Sequence, residues 1–175
     1  MKVGKLYLIL TIIVCVLAIA INAYIIMHSC FDGPKSTEAS SGVVEVTEEV
    51  INTVAPGTIT PENHDSFVII VRKAFGHFGL FAVSGLLTPL AVFLLMNMSN
   101  SSRHYINVVI GLSLGLLVAI ITETIQLFEQ GRSGEFTDIL IDFFGYLLGA
   151  LIVGLVLFIV IRNRNKKAQQ VTSAQ

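Results

Sequence analysis

The sequence predicts an all-α, polytopic membrane protein: four transmembrane helices in a bundle, with one amphipathic segment on the outer side. Three observations predict it. Of the 175 residues, 54% are apolar and only 13% are charged, against roughly 25% charged in an average soluble domain. Mean hydropathy is +0.79. The apolar residues gather into four long runs, each near the ~20 residues that span a bilayer. This composition excludes intrinsic disorder, and a soluble helical bundle would need far more polar surface.

The first run, Leu6 to Met27, carries no charge. Lys2 and Lys5 precede it, as in a signal peptide, but it exceeds the 7–15 residues of a signal core. It is read as a retained helix over 5–27. The second run, Ala74 to Ser102, holds one ionisable group, His77, and predicts a helix over 72–97. Tyr105 to Thr122 and Phe143 to Ile161 are uncharged and predict helices over 105–128 and 138–161. Four regions follow: residues 1–27, the first span; 28–67, an outer loop; 68–161, a three-helix membrane region; and 162–175, a basic, polar tail expected to fray after Arg164.

Charge is sorted by side. All twelve acidic residues lie on the side of the 28–67 loop. Lys2, Lys5, Arg103, Arg162, Arg164, Lys166 and Lys167 flank the other side with no acid among them. Basic residues near span ends mark the cytoplasmic side, so both termini are expected in the cytoplasm. Arg72 and Lys73 run against this bias. Within the loop, Val43, Val46, Val50 and Val54 recur at helical spacing. A helix starting within Ser36–Ser41 and stopped by Ala55-Pro56-Gly57 would pack on the bundle mouth or lie on the outer membrane surface. Cys15 and Cys30 form no plausible disulfide or zinc pair, and no basic, aromatic-interleaved stretch suggests nucleic acid.

Polar residues concentrate at the outer ends of the spans. Lys73 and His77, four apart, share a helix face, as do Glu123 and Gln126, three apart. Thr137 is a reasonable N-cap for the fourth span, which places Asp138 in the first turn, where the helix dipole favours a carboxylate. Asp142 lies a turn deeper, about 6 Å along the axis. Asp138, Asp142, Gly145 and Gly149 fall within roughly a 60° arc, so the acids and a small-residue ridge should turn inward together. Arg132, between Gly131 and Gly134 in a tight turn, should be held over the bundle mouth. Arg72, Lys73 and Arg132 are then expected to face Glu123, Asp138 and Asp142 across one opening, with Arg132 within salt-bridge reach of Glu123 or Asp138. Intramembrane ionisable residues are functional candidates by default; the alternative is an ion-pair network that only fixes helix register. A divalent-metal site from His77, Glu123, Asp138 and Asp142 is chemically conceivable, but the spacing matches no metal motif, so neither metal nor cofactor is expected.

The segment from Glu123 through Gln126, Gly131-Arg132-Ser133-Gly134, Thr137-Asp138 and Gly145, with Arg72-Lys73 and His77-Phe78 upstream, resembles the VanZ-like family of small bacterial membrane proteins. The likeness runs from about Val68 to Leu155. The family often carries Asp-Glu at Thr122-Glu123 and Asn at Asp142, so this chain departs from the pattern there. The family takes its name from a protein that raises tolerance to teicoplanin, so the resemblance implies a bacterial plasma membrane and a cell-envelope role, with antibiotic tolerance as one form of it. It implies no reaction.

Two functions compete on these residues. In the first, Arg72, Lys73, His77, Glu123, Gln126, Arg132, Asp138 and Asp142 form a binding site for an anionic lipid headgroup, a lipid-linked wall precursor or a glycopeptide antibiotic. In the second, the protein is an enzyme on a lipid-linked phosphate or ester at the outer leaflet. His77 or Glu123 would then be general base, and the three cations would stabilise developing negative charge. A transporter is disfavoured, since four helices leave little room for a path and the inner halves of the spans look poor in polar residues. Oligomerisation stays open.

Overall fold

The computed structural model describes residues 4–98 and 104–173. Lys2 and Arg103 of the basic flank lie outside the described residues, as do the side chains of Arg164 and Lys167. Helix α1 spans Lys5–Ser29, α2 Gly33–Val54, α3 His64–Val71, α4 Leu80–Met98, α5 His104–Gln126 and α6 Phe136–Ser173. Between α3 and α4 the chain stays helical but widens to π geometry over Arg72–Gly79. The four candidate spans are Lys5–Ser29, His64–Met98, Ile106–Gln126 and Phe136–Asn163, long and apolar enough to cross a membrane. The fold is therefore an all-α polytopic membrane bundle.

Two expected boundaries move. Helix α2 begins before Ser36, because Asp32 caps it by accepting from the Lys35 backbone N–H (3.0 Å) and Pro34 sits in the first turn, where a missing N–H costs nothing. Helix α6 does not fray after Arg164 but continues to Ser173. No Gly or Pro interrupts residues 162–173, and the Ala168-Gln169-Gln170 stretch is made of good helix formers. Helix α6 also starts one residue before Thr137, so Thr137 is not its cap. The Thr137 hydroxyl instead donates to the Glu135 carboxylate (3.1 Å).

The inward stripe on α6 is realised as backbone-to-backbone packing. A Cβ on Gly145 would overlap the Phe78 carbonyl, and one on Gly149 the Ala82 carbonyl. Gly85 meets the Tyr146 backbone with the same lack of room. Tyr146 is fully buried, and its hydroxyl donates to the Gly111 carbonyl (2.6 Å), tying α6 to α5. Small residues bring helices this close because a lipid environment supplies no hydrophobic drive between spans. The outer faces, such as Ile19, Leu151 and Phe158, are exposed apolar surface.

Away from the helix ends the bundle is less apolar than the sequence suggested. Asn22 donates to Thr88 Oγ1 (2.9 Å) and accepts from Ser84 (2.9 Å), clamping α1 to α4. Nearer the end of α1 that starts at Lys5, Tyr7 donates to the Leu94 carbonyl (3.0 Å) and Asn107 is buried. Single polar residues escaped notice because each is isolated within an apolar run. Tyr7, Asn22, Ser84 and Thr88 make interhelical hydrogen bonds rather than a charged path.

Helix α2 is only half attached. Its first turn docks on the α5–α6 turn through Gly33 N–H to the Gln130 carbonyl (2.8 Å). Gly131 has φ +71°, in the left-handed region that favours glycine, and its carbonyl leaves no room for a side chain on Gly33. Farther along, Val46, Val50 and Val54 are exposed. A contact between His64 and Glu48 (3.5 Å) links α2 to α3.

Candidate functional site

The polar site lies at the end of the bundle where α1 and α5 finish and α3 and α6 begin. Five chain segments supply it. Helix α2 contributes Ser36 and Thr37. The π segment contributes Arg72, Lys73 and His77. Helix α5 contributes Glu123 and Gln126, the following turn Arg132 and Glu135, and α6 Asp138 and Asp142. A π segment has a wider turn than an α-helix and is found often at functional sites; here it carries three of the ionisable groups.

Arg72 and Arg132 meet at one hydroxyl. Arg72 Nη2 donates to Ser36 Oγ (2.7 Å), and Arg132 Nη1 donates to the same oxygen (2.8 Å). Arg72 also reaches Thr37 Oγ1 (3.5 Å), and Arg132 Nη2 donates to Gln126 Oε1. All of these acceptors are neutral. Burial, and then the neighbouring Arg72 charge, hold the Arg132 guanidinium below its ordinary pKa.

The expected pairing of Arg132 is not made as a direct contact, although Glu123 and Asp138 act on its charge from farther off. Among the described residues, Arg132 enters no ion pair with Glu123 or Asp138. Those acids have other partners. Glu123 Oε1 accepts from the Glu135 backbone N–H (2.6 Å), at the start of α6. Asp138 Oδ1 takes Lys73 Nζ at 2.5 Å. Arg72 likewise turns away from the acids toward α2. The docked first turn of α2 places Ser36 between the two guanidiniums, which no local pattern could reveal.

The acids meet Lys73 and His77 instead. Lys73 bridges Asp138 and Glu135 (3.1 Å). Glu135 lies outside the spans, and its carboxylate is held below the usual range by the Lys73 hydrogen bond and then by that of Thr137. His77 Nδ1 lies 3.0 Å from Asp142 Oδ1, and its Nε2 lies 3.9 Å from Asp138 Oδ2. Lys73 and His77 therefore do address one face. Asp142 is wholly buried, and Glu123 is 3% exposed.

The arginine pair borders two cavities. One, of about 170 Å³, is lined by Tyr24, His28, Ser36, His77, Gln126 and Asp142 together with both arginines. The other, of about 200 Å³, includes Lys73, Ser133, Glu135 and Asp138, again with both arginines. Seven of the eight residues singled out from the sequence line these spaces; Glu123 lines neither and lies beside His77 and Asp142. Ser36, Glu135, Tyr24 and His28 were missed as site residues. Ser36 read as a helix start and Glu135 as one more outer acid; Tyr24 and His28 sit at the end of an apolar run with nothing local to mark them.

No curated protein and no solved structure matches the chain. A family model does match, the one described as VanZ/LLP1, over residues 7–159. That match includes α1 and α2 as well as the Gly131–Gly134 turn and its flanking acids, so it covers every segment that builds the site. The chain belongs to the VanZ/LLP1 family of membrane proteins.

Proposed function

We propose that this protein binds the phosphate-bearing headgroup of a lipid or lipid-linked cell-wall precursor at the arginine pair. The observation that carries the reading is the convergence of Arg72 and Arg132 on Ser36 with neutral acceptors only. Among the described residues, neither of these two neighbouring like charges makes an ion pair. Guanidiniums recognise phosphate with paired, charge-assisted hydrogen bonds. The flanking cavities lie at the level of the helix ends, where headgroups sit. In this reading the site faces the outside of a bacterial plasma membrane and both termini are cytoplasmic, as Lys5, Arg162 and Lys166 at the far end support. Tolerance to envelope-directed antibiotics such as glycopeptides then follows from holding a wall precursor or lipid, with no direct contact to the drug required.

The test is native mass spectrometry and titration of the purified protein with lipids that differ only in headgroup. Saturable binding of phosphate-bearing lipids, weakened at least ~10-fold in Arg72→Gln or Arg132→Gln by loss of a charged hydrogen bond, supports the reading. Equal affinity for a neutral headgroup refutes it.

A second reading rests on a separate observation. The His77–Asp142 contact has the geometry of a base oriented by a carboxylate, which suits an enzyme on a lipid-linked phosphate or ester. Turnover of labelled lipid-linked precursor, lost in His77→Gln, would favour that reading over simple binding.

A further inference from the structure

We propose that His77, Glu123 and Asp142 form a site for one divalent first-row transition-metal ion, of Zn²⁺ or Mn²⁺ type, beneath the arginine pair. The three residues come from the π segment, α5 and α6. One donor atom from each lies within 4.8 Å of the other two. No sequence motif could show this, because the donors are 19 or more residues apart and meet only through helix packing.

Two carboxylate oxygens of the cluster have no partner. Glu123 Oε2 and Asp142 Oδ2 are buried without a hydrogen bond, on side chains that are 3% and 0% exposed. A buried carboxylate oxygen left in this state is costly unless something binds it. The nearby cations are committed elsewhere: Lys73 to Asp138 and Glu135, Arg72 and Arg132 to hydroxyl and amide groups. A dication between two carboxylates and a neutral imidazole would close the charge balance.

The remaining geometry suits ligation. His77 Nδ1 and Asp142 Oδ1 are 3.0 Å apart, against ~3.0 Å between octahedral ligands and ~3.4 Å between tetrahedral ligands around a metal at ~2.1 Å. The second polar atoms of Glu123 and His77 are supported. Glu123 Oε1 is fixed by the Glu135 N–H. His77 Nε2 faces Asp138 Oδ2, and Asp138 is itself held by Lys73. A ligating histidine commonly has a carboxylate behind its other nitrogen in this way. One nitrogen and two oxygens are donors for Zn²⁺ or Mn²⁺. Three protein ligands leave a coordination position open, and His77 and Asp142 line the 170 Å³ cavity that the arginines border.

The test uses the full-length protein in lipid nanodiscs, stripped with a chelator and then titrated with Zn²⁺ or Mn²⁺ alone. Metal content is read by mass spectrometry after desalting, and the thermal midpoint is read in parallel. The expected result is about one retained ion per chain, with a raised midpoint, as ligand binding to the folded state requires. Glu123→Gln and His77→Gln should each weaken retention by ~100-fold or more, beyond the 10–100-fold typical of a supporting residue. Stripped Glu123→Gln should be at least as stable as stripped wild type, since it removes a buried uncompensated charge, and only the metal-induced rise should vanish. A wild type that retains no ion, or a Glu123→Gln protein that retains it equally, overturns the proposal. So does a Glu123→Gln protein destabilised in the stripped form with its metal-induced rise intact. Phosphate-lipid binding measured on stripped protein is independent of this site, so either reading can fail alone.

Discussion

Ser36→Asp should stabilise the protein while closing the anion site. Ser36 Oγ accepts from both guanidiniums at 2.7 and 2.8 Å, so the two nitrogens are at most about 5.5 Å apart, and two unit charges there repel by about 3 kcal/mol at an effective dielectric near 20. A carboxylate at the same position replaces a neutral acceptor by a charged one for both donors. Hydrogen bonds to charged groups contribute about 1.5–3 kcal/mol net, and the larger side chain has a cavity of about 170 Å³ beside it. For a chain of this size each kcal/mol moves the thermal midpoint by about 2–4 °C, so a rise of about 3–10 °C is expected. Differential scanning fluorimetry in detergent, with and without a phosphate-bearing lipid, measures both effects. The variant should unfold later than wild type in the absence of the lipid and should no longer respond to it. Ser36→Ala should do the opposite, and its loss should be largest at low salt, where the repulsion is least screened. A Ser36→Asp protein that melts below wild type, or one that still responds to the phosphate lipid, would refute the view that the arginines lack a counter-ion.

Other consequences can be checked separately. With Cys30 replaced by Ser, cysteine labels at Glu48 and Ser133 should react with an impermeant reagent on intact cells while one at Asn163 should not; the reverse pattern would invert the proposed orientation. Gly145→Ala should cost about 1–3 kcal/mol, the range for overpacking, because its Cβ has nowhere to go but the Phe78 backbone, and a thermal midpoint within a degree of wild type would contradict the close packing. Lys73→Met should destabilise by about 3 kcal/mol by leaving Asp138 buried without its cation, and adding Asp138→Asn should recover most of that loss; simple additivity in the thermal melts would deny the pair. Glu135 has its folded pKa below its unfolded one, so its contribution is present above the ordinary carboxylate pKa of about 4.3 and is lost as pH falls through the depressed value; the stability gap between wild type and Glu135→Gln should therefore narrow on acidification below that range and stay constant above it.

The membrane architecture was legible in the sequence because hydropathy acts over whole segments and tolerates single errors. The runs at Leu6–Met27 and Phe143–Ile161 could be little else. The composition of the polar site was legible too, since Arg72, Lys73, His77, Asp138 and Asp142 stand out against apolar neighbours. Their pairing was not. Lys73 and Arg132 are both cations near the same acids, and which one reaches Asp138 depends on how α2 docks. The partner that decides it, Ser36, is separated from Arg72 by 36 positions and from Arg132 by 96. A serine among Ser, Thr and Ala in a loop has no periodicity to betray it. The π segment was equally hidden, because Arg72–Gly79 has the composition of an ordinary helix end.

That π segment makes the second span a phase-sensitive element. Its widened turn accommodates chain that a regular helix would wind differently, so the side chains before and after it keep a rotational offset. Removing one residue inside Arg72–Gly79 would leave a hydrophobic helix of nearly the same length. Yet the α3 side would be presented at a different angle relative to α4, carrying Arg72 and Lys73 off Ser36 and Asp138. Insertion into the membrane depends on how many apolar residues the span holds; recognition depends on the angle at which they are presented. The two properties can thus diverge in a chain that differs by a single codon, and relatives of similar hydropathy need not share a working site.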